Sequence, residues 1–125
     1  MKSEIWHRWI PDRSLSKKYY IDEILYKNDD LIVRLSDDCG RHVVVLWDCL
    51  VESYTYTEEV NRTKSYNQET SQWTFFEICN SKYIQWLTEE SVNILSTRDL
   101  HHICIVGDNS VIDVIASEYP KIVYD

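Results

Sequence analysis

Apolar and polar residues alternate along much of this chain with the period of two that a half-buried strand requires, and clusters of Asn, Asp and Gly punctuate the runs. Tyr19 to Tyr26 is rich in β-formers, and Asn28-Asp29-Asp30 supplies turn chemistry before the next apolar run, so a first hairpin is predicted. Leu31, Val33 and Leu35 alternate with Arg34 and Ser36. Ile32 is apolar too, which gives a strand with one buried face and one partly covered. Asp37-Asp38-Cys39-Gly40 turns the chain again. His42 to Trp47 is apolar on both faces, with Val44 and Leu46 on one and Val43, Val45 and Trp47 on the other, the pattern of a central strand. Leu50 to Tyr56 then alternates, with Glu52, Tyr54 and Tyr56 on one face and Val51, Ser53 and Thr55 on the other. A four-stranded meander is the simplest topology.

Trp73 to Cys79 reads as a further strand. Asn80 or Ser81 then caps a helix in which Tyr83, Ile84 and Leu87 fall at helical spacing, ending near Ser91, with Trp86 beside that stripe as a core residue over the helix-to-sheet seam. The segment from Asp99 to the C-terminus predicts two strands joined by Gly107-Asp108-Asn109, the second over Val111 to Ala116, and Pro120 then precedes a short edge strand or tail over Lys121 to Tyr124. Residues 1–18 hold Trp6, Trp9 and Pro11 without strand or helix period, and read as a loose arm pinned by its tryptophans. Residues 57–72 have Val60 and Tyr66 as their only large apolar groups, the composition of a mobile polar loop or, from the Thr57-Glu58-Glu59 start, of a short exposed helix. The expectation is a single α+β domain over residues 1–125, with an antiparallel sheet of six or seven strands curled over one main helix. A β-sandwich is the alternative.

Composition adds limits. With 125 residues, 44% hydrophobic and 27% charged, the chain is of ordinary globular size and content. Cys39, Cys49, Cys79 and Cys104 are widely spaced, without a CxxC pair or a metal-ligand rhythm, and no segment has the length of a signal peptide or membrane span. A cytoplasmic protein with reduced thiols, no cofactor and no membrane partner is expected. Asn61-Arg62-Thr63 matches a glycosylation acceptor, but in the absence of a secretory signal it reads as polar loop. The net charge of −8 is uneven: residues 1–20 carry five basic and two acidic side chains, so residues 21–125 carry −11. Such a body repels nucleic acid and suits a basic protein partner.

Candidate chemistry is sparse. His101 and His102 are neighbours on a strand, so they point to opposite faces and cannot share a metal there. His102 and Cys104 do share a face, and a metal or catalytic site would need Cys79 or Asp113 from other elements. The acid pairs Asp29-Asp30, Asp37-Asp38, Glu58-Glu59 and Glu89-Glu90 sit where turns and exposed faces are expected, as a solvated surface rather than an acid–base pair. There is no GxSxG, P-loop, GxGxxG or HExxH, and two glycines cannot build a phosphate-cradling loop.

The most unusual stretch is WDCLVESYTYTEEVNR, in which rings alternate with acids. Trp47, Glu52, Tyr54, Tyr56, Glu58, Glu59 and Arg62 are its candidate partner-binding residues, against the simpler reading of a solvated edge strand. The segments VESYTYTEEVNR, SKYIQWLTEES and HHICIVGDNSVIDVIASEYPKIV resemble, in texture and order over residues 45–125, small bacterial cytosolic proteins of the kind that act as immunity proteins in polymorphic toxin systems. That resemblance implies a small α+β protein that binds one toxin domain and blocks it without catalysis. It carries no motif that fixes functional residues. The expected function is therefore a non-enzymatic inhibitor of a basic toxin domain. The alternatives are a small enzyme with a spatially assembled His/Cys/Asp site and an oligomerising module.

Overall fold

The computed structural model describes residues 2–97 and 99–125. Among them nine strands form two antiparallel sheets: β1 (Ile5–Arg8), β6 (Phe75–Cys79), β7 (His101–Val106), β8 (Ser110–Ala116) and β5 (Val51–Glu58) in the order β1-β6-β7-β8-β5, and β2 (Tyr20–Lys27), β3 (Asp30–Ser36), β4 (His42–Trp47) and β9 (Lys121–Tyr124) in the order β2-β3-β4-β9. One helix, α1 (Lys82–Glu90), and two 3-10 turns, Glu59–Ser65 and Ile94–Thr97, complete the elements. The sheet-dominated α+β character agrees with the expectation. Nine strands in two sheets replace six or seven in one, and the molecule lies nearer the sandwich alternative.

Local signals were followed closely. Asn28 and Asp29 both have φ in the left-handed region, 53° and 66°, so the β2–β3 hairpin closes through the mirror-image two-residue turn that matches strand twist. Gly40, at φ +79°, ends the turn that Asp37 organises by accepting the backbone N–H groups of Cys39 and Arg41 at 2.9 and 2.8 Å. The Ser81 hydroxyl caps α1 by accepting Ile84 N–H at 3.1 Å, and the helix ends at Ser91. β7 and β8 form the second hairpin, and Gly107 is required there because a side chain would meet Ile21 at 2.9 Å.

Topology departs from the sequence reading in two places. β2, β3 and β4 make a meander, but β5 leaves it and pairs with β8 in the other sheet, while β9 takes the place beside β4. The arm is not loose: Ile5–Arg8 is an edge strand against β6, and residues beyond it are held by Trp9 N–H to the Phe75 carbonyl at 3.0 Å and Tyr19 N–H to Thr74 Oγ1 at 3.0 Å. Lys18 Nζ donates to the carbonyls of Thr70, Trp73 and Val106 at 3.0, 3.5 and 2.8 Å.

The core lies between the sheets. Register places Leu31, Val33, Leu35, Val43, Val45 and Trp47 on the inner side of one sheet, against Phe75, Ile103, Ile105, Ile112 and Val114 of the other, and all of these are buried in one cluster. The opposite face of the β1–β5 sheet is covered by α1 and the 3-10 turn Glu59–Ser65. Trp86, expected over that seam as core, is 54% exposed, because α1 has no fully buried residue and packs through Tyr83 instead.

Candidate functional site

Two regions carry the polar chemistry that the sequence pointed to. The first lies under α1. His102 and Asp113 face the same side of the β7–β8 hairpin as Cys104, since Cys104 pairs directly with Asp113. His102 Nε2 bonds Asp113 Oδ1 at 2.6 Å, Ser81 Oγ bonds His102 Nδ1 at 2.7 Å, and Arg62 donates to Asp113 Oδ2 at 2.6 Å. Thr55 lies 3.4 Å from the same Oδ2, Tyr83 stands edge-on to the imidazole with centroids 5.7 Å apart, and the Tyr83 hydroxyl bonds Ser53.

The Asp113 carboxylate can only accept, so His102 Nε2–H donates to it, while Ser81 Oγ both accepts Ile84 N–H and shares a hydrogen bond with His102 Nδ1. Burial works to raise the Asp113 pKa, but the His102 hydrogen bond and charge, followed by the Arg62 charge and hydrogen bond, outweigh it and hold the carboxyl below the usual aspartate range. Burial first, and the Asp113 charge second, push the Cys104 thiol well above its ordinary value.

Ser81, His102 and Asp113 thus contain the residue types of a catalytic triad, with serine on Nδ1 and aspartate on Nε2. Ser81 is 4% exposed, and its hydroxyl is engaged by both Ile84 N–H and His102 Nδ1. The arrangement fastens α1 and the 3-10 turn to the sheet. His101 lies on the other face, 3.1 Å from Glu77 Oε2, and is not part of it. Cys79 is exposed, and no group of three His, Cys, Asp or Glu side chains among the described residues is placed to hold a metal ion.

The second region is the margin where the edges of the two sheets meet, β5 against β2. Tyr54 and Tyr56 are 40% and 48% exposed, their rings on the side facing the other sheet. Tyr54 stacks on Tyr26 with centroids 5.8 Å apart, and the Tyr56 hydroxyl donates to Glu58 Oε1 at 3.1 Å. Tyr56 also lines a shallow cleft with Ile21, Asp22, Glu23 and Ile24.

Of the predicted strip, Tyr54, Tyr56 and Glu58 are exposed together at this margin, while Glu59, exposed too, opens the 3-10 turn and lines a separate cleft with Lys18, Thr63, Tyr66 and Asp108. Glu52 is half-buried, and a register slip between Val51 and Ser53 breaks the alternation that was to place it with the tyrosines. Trp47 does not belong to the strip. It is 1% exposed because β4 is a central strand and its parity with Val43 and Val45 turns the indole into the core. Arg62 does not either: it turns under the sheet to Asp113. Sequence reasoning missed Ser81 and Arg62 as members of the buried network, and missed Asp22, Glu23 and Tyr26 as the other lip of the margin. Both omissions concern contacts between elements far apart in the chain.

The architecture defines a two-sheet α+β protein with a sealed polar network and one open aromatic, acidic margin. No family model, no curated protein and no solved structure matches the chain. Among the described residues no helix is long and apolar enough to cross a membrane.

Proposed function

We propose that the protein is a non-enzymatic binding protein of the cytoplasm, an inhibitor of the toxin-immunity kind, whose acidic, tyrosine-bearing margin meets a basic protein domain. The observation that carries this reading is the joint exposure of Tyr54, Tyr56 and Glu58 on an edge strand, beside Asp22 and Glu23 of the neighbouring edge. Rings supply contact area at low entropy cost, and carboxylates pair with the Lys and Arg that a nucleic-acid-directed toxin presents to phosphate. The −11 charge of residues 21–125 extends the attraction beyond the contact itself. An enzyme built on His102, Cys104 and Asp113 has less support, since all three are buried and the His–Asp pair spends its hydrogen bonds on structure.

Affinity capture from native lysate tests the reading with the full chain and a variant carrying Asp22→Lys and Glu58→Lys, both exposed at the margin. The parent is expected to retain a basic protein, and the variant to bind that protein about tenfold more weakly or worse. Recovery of no basic protein, or equal binding by the two chains, would overturn it.

A further inference from the structure

The strand order leaves four sheet edges, and they are not equally open. β1 and β9 are four residues each. β2 has eight residues, but its register slips between Ile21 and Glu23, leaving Glu23–Lys27 as its unbroken run, which ends on a lysine. β5 also has eight residues, and its slip lies at the very start, so Ser53–Glu58 runs in unbroken register with β8. Bulges, short length and charge are the usual means of closing an edge to other strands, and β5 keeps the longest flat run here.

The backbone of that run faces outward at known positions. Glu59 N–H donates to the Asn109 carbonyl at 3.1 Å, and hydrogen-bonded pairs alternate along an antiparallel ladder. Thr57 and Thr55 therefore bond inward to β8, while Tyr54, Tyr56 and Glu58 turn their N–H and C=O groups to the free edge. Beside them lies the cleft lined by Ile21, Asp22, Glu23, Ile24 and Tyr56.

We propose that this edge takes up an extended, Lys- or Arg-bearing segment of the partner protein by strand addition, with the backbone ladder formed to Tyr54, Tyr56 and Glu58. The proposal rests on the basic-partner reading above and specifies how that partner binds. Alternate side chains of the segment fall on opposite sides of the sheet, so the cationic set is the one on the face of Tyr54, Tyr56 and Glu58, its apolar stems over Tyr56 and Ile24 and its charges toward Glu58, Asp22 and Glu23, while the other set lies beside Thr55 and Thr57. Charge argues against a second copy as the occupant. A second copy would bring another Ser53–Glu58 run, which carries a carboxylate and no cationic side chain, against Glu58, Asp22 and Glu23, and like charges across a ladder are destabilising.

The test is a titration of the nitrogen-15-labelled full chain with three soluble decapeptides: one alternating Lys with Thr and Val, its counterpart with Glu for Lys, and an isomer of the Lys peptide with two adjacent prolines at its centre. The Lys peptide is expected to shift the amide signals of Tyr54, Tyr56 and Glu58 and slow their exchange with solvent. The Glu peptide should leave them unmoved, and the proline isomer should bind about tenfold more weakly, because it cannot extend the ladder. Equal binding of the Lys peptide and its proline isomer would overturn strand addition while leaving a basic partner in place. Shifts confined to other edges, or shifts of these three amides with protein concentration alone, would overturn it as well. If neither Lys peptide binds, strand addition falls, and the capture experiment decides the basic partner separately.

Discussion

The two margins at which the sheets meet are built differently from the same kinds of residue. Beside β1, Tyr119, itself 47% exposed, stacks with Trp9 at 6.0 Å and with His101 at 4.2 Å, and its hydroxyl donates to Glu77 at 2.9 Å. Burial and then the Glu77 contact raise its pKa to about 12. Trp73 closes the same margin from beneath, its indole N–H donating to the Trp9 carbonyl at 3.2 Å. At the β2 and β5 margin a single stack, Tyr26 on Tyr54, bridges the sheets, and Tyr56 ties its hydroxyl to a carboxylate that is itself exposed. Aromatic content therefore does not divide core from interface. What divides them is ring burial: Trp73 is 7% exposed at the first margin, whereas Tyr26, Tyr54 and Tyr56 are 41%, 40% and 48% exposed at the second.

The largest expected effect breaks the closed margin. Trp73→Ala should lower stability by about 3–5 kcal/mol in urea unfolding, the cost of emptying a buried indole site, whereas Tyr54→Ala at the open margin should lower it by less than about 1 kcal/mol. Equal losses would erase the distinction between the margins. Next, Arg62→Ala should cost about 3 kcal/mol, because it leaves the buried Asp113 carboxylate without its guanidinium partner, and hydrogen exchange should accelerate in β5 more than in β1. Loosening spread evenly over both sheets would show that Arg62 does not brace the open margin.

Acid should act through the same brace. In the folded chain the Asp113 carboxyl titrates below the ordinary aspartate value of 3.8, so its stabilisation is complete above that value and falls away as pH drops toward and through the folded value. Asp113→Asn should flatten this acid limb of the stability curve, and an unchanged limb would assign it to other carboxylates. The smallest effect concerns the bridging stack. A double-mutant cycle over Tyr26→Ala and Tyr54→Ala should give a coupling of about 0.5–1 kcal/mol, and a value near zero would mean that the open margin is unbridged in solution.

What was legible in the sequence was local. Asn28-Asp29 announced its turn, Ser81 announced the helix start, and Gly107-Asp108-Asn109 announced the β7–β8 hairpin, because each signal acts over a few residues. The partner of β5 was not legible. Alternation specifies which face of a strand is buried but not the strand it joins, and β5 found β8 across more than fifty residues of chain. Ile5–Arg8 escaped notice for the opposite reason: an edge strand of four residues in which only Trp6 is part-buried carries no alternation to read. His102 and Cys104 share a strand face as their spacing indicated, whereas the register that sets Asp113 opposite Cys104, and the packing that brings Ser81 and Arg62 to the same network, are contacts between elements that the pattern does not encode.

Lys18 has a consequence for the order of folding. Its ammonium reaches carbonyls 52, 55 and 88 residues away, and its neighbour Tyr19 bonds Thr74 across 55 residues. Closing loops of that length costs entropy that no nearby contact returns, and two of the carbonyls sit at the entrance to β6 and one at the end of β7. Loop-closure entropy therefore predicts that the arm docks after those strands have assembled. The Lys18 contacts act as a latch rather than a nucleus, and in pulse-labelled refolding the Tyr19 amide should be among the last to gain protection.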